Sequence, residues 1–478
     1  MAQPTPMRYR YDLPLTTTSG DAVQMYIDGL GRALSGNIGA EILLAEATQV
    51  DEGFAMAHAA LAAHLSRLRQ PEQARASAEA AMATSGGLSR RERQHIDIIY
   101  RSLNGDGPNA LRLAREHLDD FPSDVHILQQ FTGLMSSSGS KERIRQTLDE
   151  IEQRESAYGD DWFYLGLRSF YLHESDRFEE SRIYSERSLQ GNPRNGNASH
   201  NLAHVFYETS DYSGGLEFLN DWIIGYSDRA PFFSHLNWHM ALFELTQGRY
   251  ARTQEIYEQC IRPSVLEKAG GLGPPLADAT SLLWRMELYG KGVSARDWNE
   301  VRAFAADQAA NPGVAFQDAH AALALAATQD QATMNVLVDG LKRMSRNGNS
   351  FVDDVVLPLV KGIEAFGREA YDDTIRYMEP IDDRIIALGG SQAQRAVFHD
   401  TLLQAYLRTQ RYEHAEAMLR KRLEHRHSAR DFYWLACAQS SAGKADDAQF
   451  AARQAQHLWA GAEPASPELT ELSRLVLE

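Results

Sequence analysis

A short pattern recurs along the chain at a nearly constant interval, and this repetition constrains the fold more than any other feature. In each copy, two or three polar or acidic residues follow an aromatic or polar residue and precede a small one. The copies close at Ala74, Ala110, Ile144 (a weaker copy), Ser181, Gly215 and Thr253. Subtracting consecutive positions gives steps of 36, 34, 37, 34 and 38 residues. A period of ~34 residues is typical of a helix-turn-helix repeat.

The rest of the chain also favours helices. Beyond residue 20 the apolar residues recur at helical spacing, and alternating β-branched runs joined by two-residue glycine turns are nearly missing. The period loosens after residue 253 and returns in copies closed by Thr374, Ala415 and Ala448. We predict an all-α, superhelical solenoid of helix-turn-helix hairpins with no sheet domain. An N-terminal extension would cover residues 1–19, and a single continuous solenoid 20–478, with degenerate repeats around 276–345.

Small residues also recur where two helices of a hairpin would cross closely. Ala62, Ser169, Ala203 and Ala241 each lie twelve residues before a closing residue, and Pro122 and Pro193 each lie twelve residues after one. These marks resemble the tetratricopeptide repeat. The residue strings 88–96, 200–205, 235–242, 276–285, 317–321 and 389–395, in this order, are similar to the tetratricopeptide repeat protein 38 family. The resemblance covers roughly residues 20–460. It implies the repeat fold and supplies no activity.

Net charge and composition limit the classes of partner that we expect. Lys and Arg number 48 against 65 Asp and Glu, a net charge of -17, and no basic stripe is present, so we expect no nucleic acid partner. Two cysteines, Cys260 and Cys437, cannot build a disulfide framework. The chain carries no apolar run of ~18 residues and begins without a signal-like segment. We expect a soluble cytoplasmic protein with no membrane partner.

The repeat register predicts which side chains face the concave groove. The tetratricopeptide resemblance implies that positions two, five, nine, twelve and thirteen of each first helix point into it. If the closing residue is position twenty, the hairpin that closes at Gly215 places His200 fifth, His204 ninth and Glu208 thirteenth. The next hairpin places His235 second, Trp238 fifth and His239 sixth, beside the groove stripe. We therefore expect one groove pocket that these side chains share.

The candidate residues are compatible with three functions, which are described in the next paragraph. The candidate catalytic residues are His200, His204, His235, His239, Asp278 and His320. The candidate ligand-binding residues are Glu208, Trp238, Trp284, Arg285 and Asp318. Histidines four residues apart on one helix can bind a divalent transition metal such as zinc, and the candidate ligands are His200, His204 and His239.

The first use is metal-assisted chemistry, and the second is metal-free acid/base chemistry of hydrolase or lyase type, in which a carboxylate holds a histidine. The third is a non-catalytic scaffold for protein–protein interaction. The expected groove ligand is a small molecule or a short peptide, and an oligomer is compatible with the sequence.

Two glycine-rich segments have alternative interpretations. The stretch 269–275 lacks the context of a phosphate loop and is predicted to be a linker, with a lid over the groove as the alternative. At 389–391 we expect Ser391 to cap a helix, with an anion site at that helix start as the alternative.

Overall fold

The structure is a computed structural model that describes residues 7–8, 12–137, 140, 142–269, 276–464 and 466–477. The predicted linker or lid, apart from Ala269, lies outside the described residues. The chain forms two compact units. The first consists of Met1–Asn201 and Ala230–Phe232, and the second of Leu202–Arg229 and Phe233–Glu478.

The first unit is built from antiparallel helix hairpins. A two-residue ribbon of β1 (Met7–Arg8) and β2 (Pro14–Leu15) precedes them. The helices are α1 Gly20–Ser35, α2 Ala40–Val50, α3 Ala55–Arg67, α4 Pro71–Ala83, α5 Arg90–Leu103, α6 Gly107–Asp120, α7 Val125–Ser136, α8 Arg143–Glu152, α9 Glu155–Tyr158, α10 Trp162–His173 and α11 Phe178–Gly191. Helix α12, Gly196–Glu208, carries residues of both units.

The second unit continues with the same kind of element. Its helices are α13 Tyr212–Trp222, α14 Phe233–Thr246, α15 Tyr250–Ile256, α16 Pro263–Ala269, α17 Leu276–Leu288, α18 Ala295–Ala310, α19 Ala315–Ala327, α20 Gln331–Arg346, α21 Leu357–Gly367, α22 Tyr371–Met378, α23 Gln392–Arg408, α24 Tyr412–His425, α25 Ala429–Ser441, α26 Ala445–Leu458 and α27 Pro467–Leu477. Segments Tyr257–Ile261 and Val352–Val356 are π-helical, and Glu379–Leu388 is a 3₁₀ helix.

One turn structure closes hairpins in both units. A residue in the left-handed region, such as Arg69 (φ 57°) or Ser210 (φ 61°), follows the first helix. The next backbone N–H then donates to a carbonyl five residues back, as from Gln70 to Leu65 at 3.0 Å. Gly105, Gly248 and Gly443 take the same left-handed conformation in their turns. This bond satisfies a carbonyl that the helix end would otherwise leave without a partner.

The predicted small residues lie where hairpin helices cross. Ser181 donates from its hydroxyl to the carbonyl of Ser169, twelve residues earlier, at 2.7 Å, and both residues are fully buried. A β-carbon added to Gly215 would come within 2.7 Å of the Phe243 ring. The prediction of an all-α, tetratricopeptide-like array of hairpins is confirmed. None of the described helices is long and apolar enough to cross a membrane.

Candidate functional site

Three histidines of the second unit meet on adjacent helices. His204 comes from α12, and His235 and His239 lie one turn apart on α14. One ring nitrogen of each lies within 4.8 Å of the others. The ring centroids of His204 and His239 are 4.4 Å apart, and those of His235 and His239 are 4.9 Å apart. His204 and His239 are fully buried, whereas 14% of the His235 side chain is exposed. A solvent-side approach to the cluster therefore passes His235.

Helix α17 supplies a carboxylate that orients His235. Both carboxylate oxygens of Asp278 lie 2.9 Å from Nδ1 of His235. Since an ionised carboxylate only accepts hydrogen bonds, Nδ1 carries the proton and donates it. Nε2 is then the ring nitrogen through which His235 would bind a metal or exchange a proton. Asp278 is buried, so the contact is shielded from water.

The ring of a tryptophan stacks on the face of the His235 imidazole. The Trp238 ring stacks on His235 with centroids 5.2 Å apart and planes 11° apart, and it meets His239 edge-on at 5.0 Å. Trp238 is fully buried, and its Nε1 donates to the hydroxyl of Ser281 at 3.1 Å. The orientation of His235 is thus set by Asp278 at Nδ1 and by Trp238 along its plane.

Arg285 adds a buried positive charge beside the tryptophan. Its guanidinium carbon lies 5.8 Å from the Trp238 ring centre. Nη2 donates to the carbonyl of Ala393 at 2.6 Å, and Nη1 donates to the carbonyl of Ser281 at 3.3 Å. Two backbone carbonyls therefore fix the guanidinium next to the cluster, and Asp400 lies 4.0 Å from its Nε.

The turn that presents Ala393 has the predicted helix cap. The Ser391 hydroxyl accepts from the N–H of Gln394 at 3.3 Å, and the Gln394 side chain accepts from the N–H of Ser391 at 2.9 Å. This reciprocal capping box at the start of α23 confirms the prediction for Ser391. The glycine-rich turn therefore helps to position Arg285.

His320 and Asp318 lie on α19 and differ in surroundings. His320 is fully buried between Phe316 and Phe398, with ring centroids 4.3 and 5.1 Å away, and its Nδ1 donates to the Phe316 carbonyl at 2.7 Å. Burial lowers the pKa of His320 to about 4; the Phe316 carbonyl opposes the shift, Arg285 adds to it and Asp278 opposes it. His320 is therefore close enough to Asp278 and Arg285 to respond to their charges.

Asp318 instead accepts hydrogen bonds from the Gln308 side chain at 2.7 Å and from the N–H of Gly313 at 3.0 Å. Burial raises the pKa of Asp318 to about 6, although both donors oppose the shift. The Asp318 carboxyl group therefore stabilises the loop before α19 through these two hydrogen bonds.

Three further predicted residues, Trp284, Glu208 and His200, make the following contacts. Trp284 donates from Nε1 to the Thr401 hydroxyl at 3.0 Å and packs on Phe366 with centroids 5.6 Å apart. Glu208 is half-buried, and its charge helps to raise the pKa of Arg426. His200 belongs to the first unit, where its ring lies 5.4 Å from that of Phe232 and borders a cavity. The structure thus groups His204, His235, Trp238, His239 and Asp278, with Arg285 alongside. That the candidate catalytic residues take part in chemistry stays a prediction.

The first unit also contains a buried polar cluster that was not predicted from the sequence. Oδ2 of Asp124 lies 2.8 Å from Nη1 of Arg91, 3.0 Å from Nδ1 of His95 and 3.2 Å from Nε2 of His117. Nε2 of His95 in turn lies 3.0 Å from Nδ1 of His126. Burial alone would raise the pKa of Asp124, but His95 and His117 outweigh it and hold that pKa well below the usual range. The only local signal was Asp124 as the cap of α7.

Neither cysteine is an activated nucleophile. Burial raises the pKa of Cys260, and it raises the pKa of Cys437 to about 11. Both thiols therefore stay protonated at neutral pH.

No protein family model matches the chain. Among solved structures, the chain is similar to a monomeric mutant of IFIT1 with Gppp-AAAA (10% identity, TM-score 0.35). It is also similar to the human IFIT1 dimer with m7Gppp-AAAA (10% identity, TM-score 0.36). Each match covers 95% of this chain and 98% of the other. Those two proteins are described with Gppp-AAAA and m7Gppp-AAAA, whereas we expected no nucleic acid partner for this chain. Net charge was an insufficient ground for that exclusion, and we withdraw it.

Proposed function

We propose that this chain is a ligand-binding tetratricopeptide-like protein, similar to the tetratricopeptide repeat protein 38 family, whose second unit binds zinc. The zinc ligands are His204, His235 and His239, and the substrate is a small molecule or a short peptide. The observation that carries the proposal is the convergence of three ring nitrogens within 4.8 Å. Three imidazoles at such separations match the donor type and number of a catalytic zinc site.

The carboxylate behind His235 supports a metal rather than a purely structural cluster. Metal-binding histidines usually donate their second N–H to a carboxylate or a carbonyl, which fixes the ring and raises its basicity. Asp278 occupies that place, with both oxygens 2.9 Å from Nδ1. The stacked Trp238 ring restricts the same imidazole further. Little side-chain reorganisation is then needed when the ion binds.

The three-histidine set suits hydrolytic chemistry. Zinc held by three protein ligands keeps a position for water or substrate, where it can activate the water or polarise a carbonyl. His235 is the partly exposed member of the set, so substrate would approach on its side. The buried His204 and His239 keep the opposite side closed to water.

Metal-free acid/base chemistry is the second candidate, and one contact favours it. The bidentate contact of Asp278 with His235 commits Nδ1, so proton exchange at this ring would take place through Nε2. In this version His235 is the acid/base, Asp278 orients it, and His204 and His239 line the pocket. A non-catalytic scaffold for a partner protein would use the same surface without turnover.

Metal analysis of protein purified without a histidine tag or chelator tests the first candidate. We expect one zinc per chain, and its loss in His204→Gln and His239→Gln. The matched control is His425→Gln, because His425 is an exposed histidine of the second unit on α24. Asp278→Asn should keep the ion but weaken its binding about 10- to 100-fold. Thermal melting of each metal-free variant checks that the fold persists.

The outcomes separate the candidates. If wild type binds no zinc, cobalt or nickel more tightly than about 1 μM, the metal proposal is wrong. Nitrogen-15 spectra of the imidazoles then decide the second candidate, which requires His235 to be protonated at Nδ1 and to change at Nε2 alone as the pH falls. A neutral His235 ring whose single proton is on Nε2 rather than Nδ1 would refute both versions.

A further inference from the structure

The first unit contains a cavity of about 410 Å³. Its walls are formed by helices α3, α5, α7, α10 and α12, the first helices of consecutive hairpins, together with Phe232. All the lining residues belong to the first unit. The volume is in the range of protein pockets that hold small organic molecules.

The lining is unusual for so acidic a chain. Although the protein has 65 Asp and Glu residues, none occurs among the lining residues that the structure describes. Phe163, Phe170 and Phe232 supply aromatic surface. The basic side chains in the walls are Arg67 and His200, and the remaining polar groups are neutral amides and hydroxyls. The cavity is therefore apolar with positive charge, opposite in sign to the protein as a whole.

Arg67 carries that positive charge without a carboxylate partner. Its Nη2 donates to Oε1 of Gln129 at 2.5 Å, and no ion pair joins it to the part of the chain that the structure describes. Arg67 is exposed to solvent at the edge of the cavity, and as an arginine it stays charged at neutral pH. The remaining guanidinium donors are available to a bound anion.

We infer that the cavity binds a small carboxylic acid whose apolar or aromatic body packs on Phe163 and Phe170 while its carboxylate pairs with Arg67. A guanidinium matches a carboxylate in charge and in the spacing of its two donors. A phosphate monoester carries nearly twice that charge at neutral pH. A single arginine among neutral amides balances one negative charge, which selects the carboxylate.

Calorimetric titration of the full chain with three probes tests the inference. The probes are phenylbutyrate, its neutral amide and phenyl phosphate. We expect phenylbutyrate to bind with a Kd below about 1 mM and each of the others to bind at least tenfold more weakly. Arg67→Gln should weaken phenylbutyrate at least tenfold. Arg75→Gln is the matched control, because Arg75 is an exposed arginine of the adjoining α4 outside the cavity.

Gly133 allows the cavity to be filled without disturbing its walls. It lines the cavity, and a β-carbon added there would meet no atom within 4 Å. Gly133→Leu should abolish phenylbutyrate binding while circular dichroism and the melting temperature stay at or above those of wild type. Gly133→Ala is the control for Gly133→Leu, because alanine also raises helix propensity but leaves most of the cavity volume open.

Four results would overturn the inference. The first is no binding of phenylbutyrate by wild type, and the second is equal binding of its amide, which would mean that charge plays no part. The third is tighter binding of phenyl phosphate that depends on Arg67, which would make the ligand a phosphate. Retention of phenylbutyrate binding by Gly133→Leu would place the acid elsewhere. None of these binding measurements depends on the zinc content of the protein, so their failure and the failure of the metal proposal can be told apart.

Discussion

His320 should make the second unit lose stability in mild acid. The side chain is fully buried between Phe316 and Phe398, and burial lowers its pKa from 6.5 to about 4. The unfolded chain therefore takes up a proton at this histidine before the folded chain does. Stability attributable to the neutral ring is present above pH 6.5 and is lost as the pH falls towards 4. The full loss is about 3 kcal/mol, because each pKa unit corresponds to about 1.4 kcal/mol.

Replacement of His320 by leucine isolates this contribution. Leucine removes the titrating group and remains apolar between the two phenylalanines. The Phe316 carbonyl keeps its helical partner, since the backbone N–H of residue 320 lies four positions on in the same helix. Between pH 7 and pH 5 the wild type should lose about 2 kcal/mol more unfolding free energy than His320→Leu.

Urea unfolding at the two pH values, followed by circular dichroism and tryptophan fluorescence, measures the difference. His425→Leu is the control, because that histidine is exposed at the end of α24. It should show the same pH dependence as wild type. If His320→Leu loses as much stability as wild type between pH 7 and pH 5, the reasoning from burial is wrong.

Other changes should act through packing and charge, and urea unfolding measures each. Gly215→Ala should cost about 1 to 3 kcal/mol, because its β-carbon would come within 2.7 Å of Phe243. Gly31→Ala, which meets no atom within 4 Å, should instead stabilise by about 0.5 to 1 kcal/mol; equal effects of the two would contradict the packing argument. Asp124→Asn should cost about 3 to 5 kcal/mol, since it removes the partner of the buried Arg91; a loss below about 1 kcal/mol would count against the network.

The hairpins were predictable because their signals are local. The left-handed residue and the bond that spans the turn involve neighbours within about six positions, so each turn is encoded in its own segment. The small residues twelve positions apart, such as Ser169 and Ser181, also lie within one hairpin. Packing of helix on helix then requires small side chains wherever the axes approach. Local periodicity thus determined the all-α fold.

The histidine cluster was predictable only where the repeat places the first helices of neighbouring hairpins side by side. His204 on α12 and His235 and His239 on α14 come from the first helices of successive hairpins, which the repeat places side by side. Their residue types and register were therefore readable from the sequence. Asp278 lies 43 positions from His235, beyond a stretch without a clear repeat, and its contact with Nδ1 is a property of the folded chain.

Tertiary structure alone decided the remaining features. The network around Asp124 joins α5, α6 and α7 through side chains up to 33 positions apart, and no short pattern encodes such a set. The orientation of Trp284 towards Thr401, 117 positions away, likewise depends on packing between distant helices. The position of Arg67 beside the aromatic walls of the cavity also depends on helices that are distant along the chain. Sequence determined the repeating frame because its interactions are short-range, and packing decided burial and side-chain partners because those depend on the whole fold.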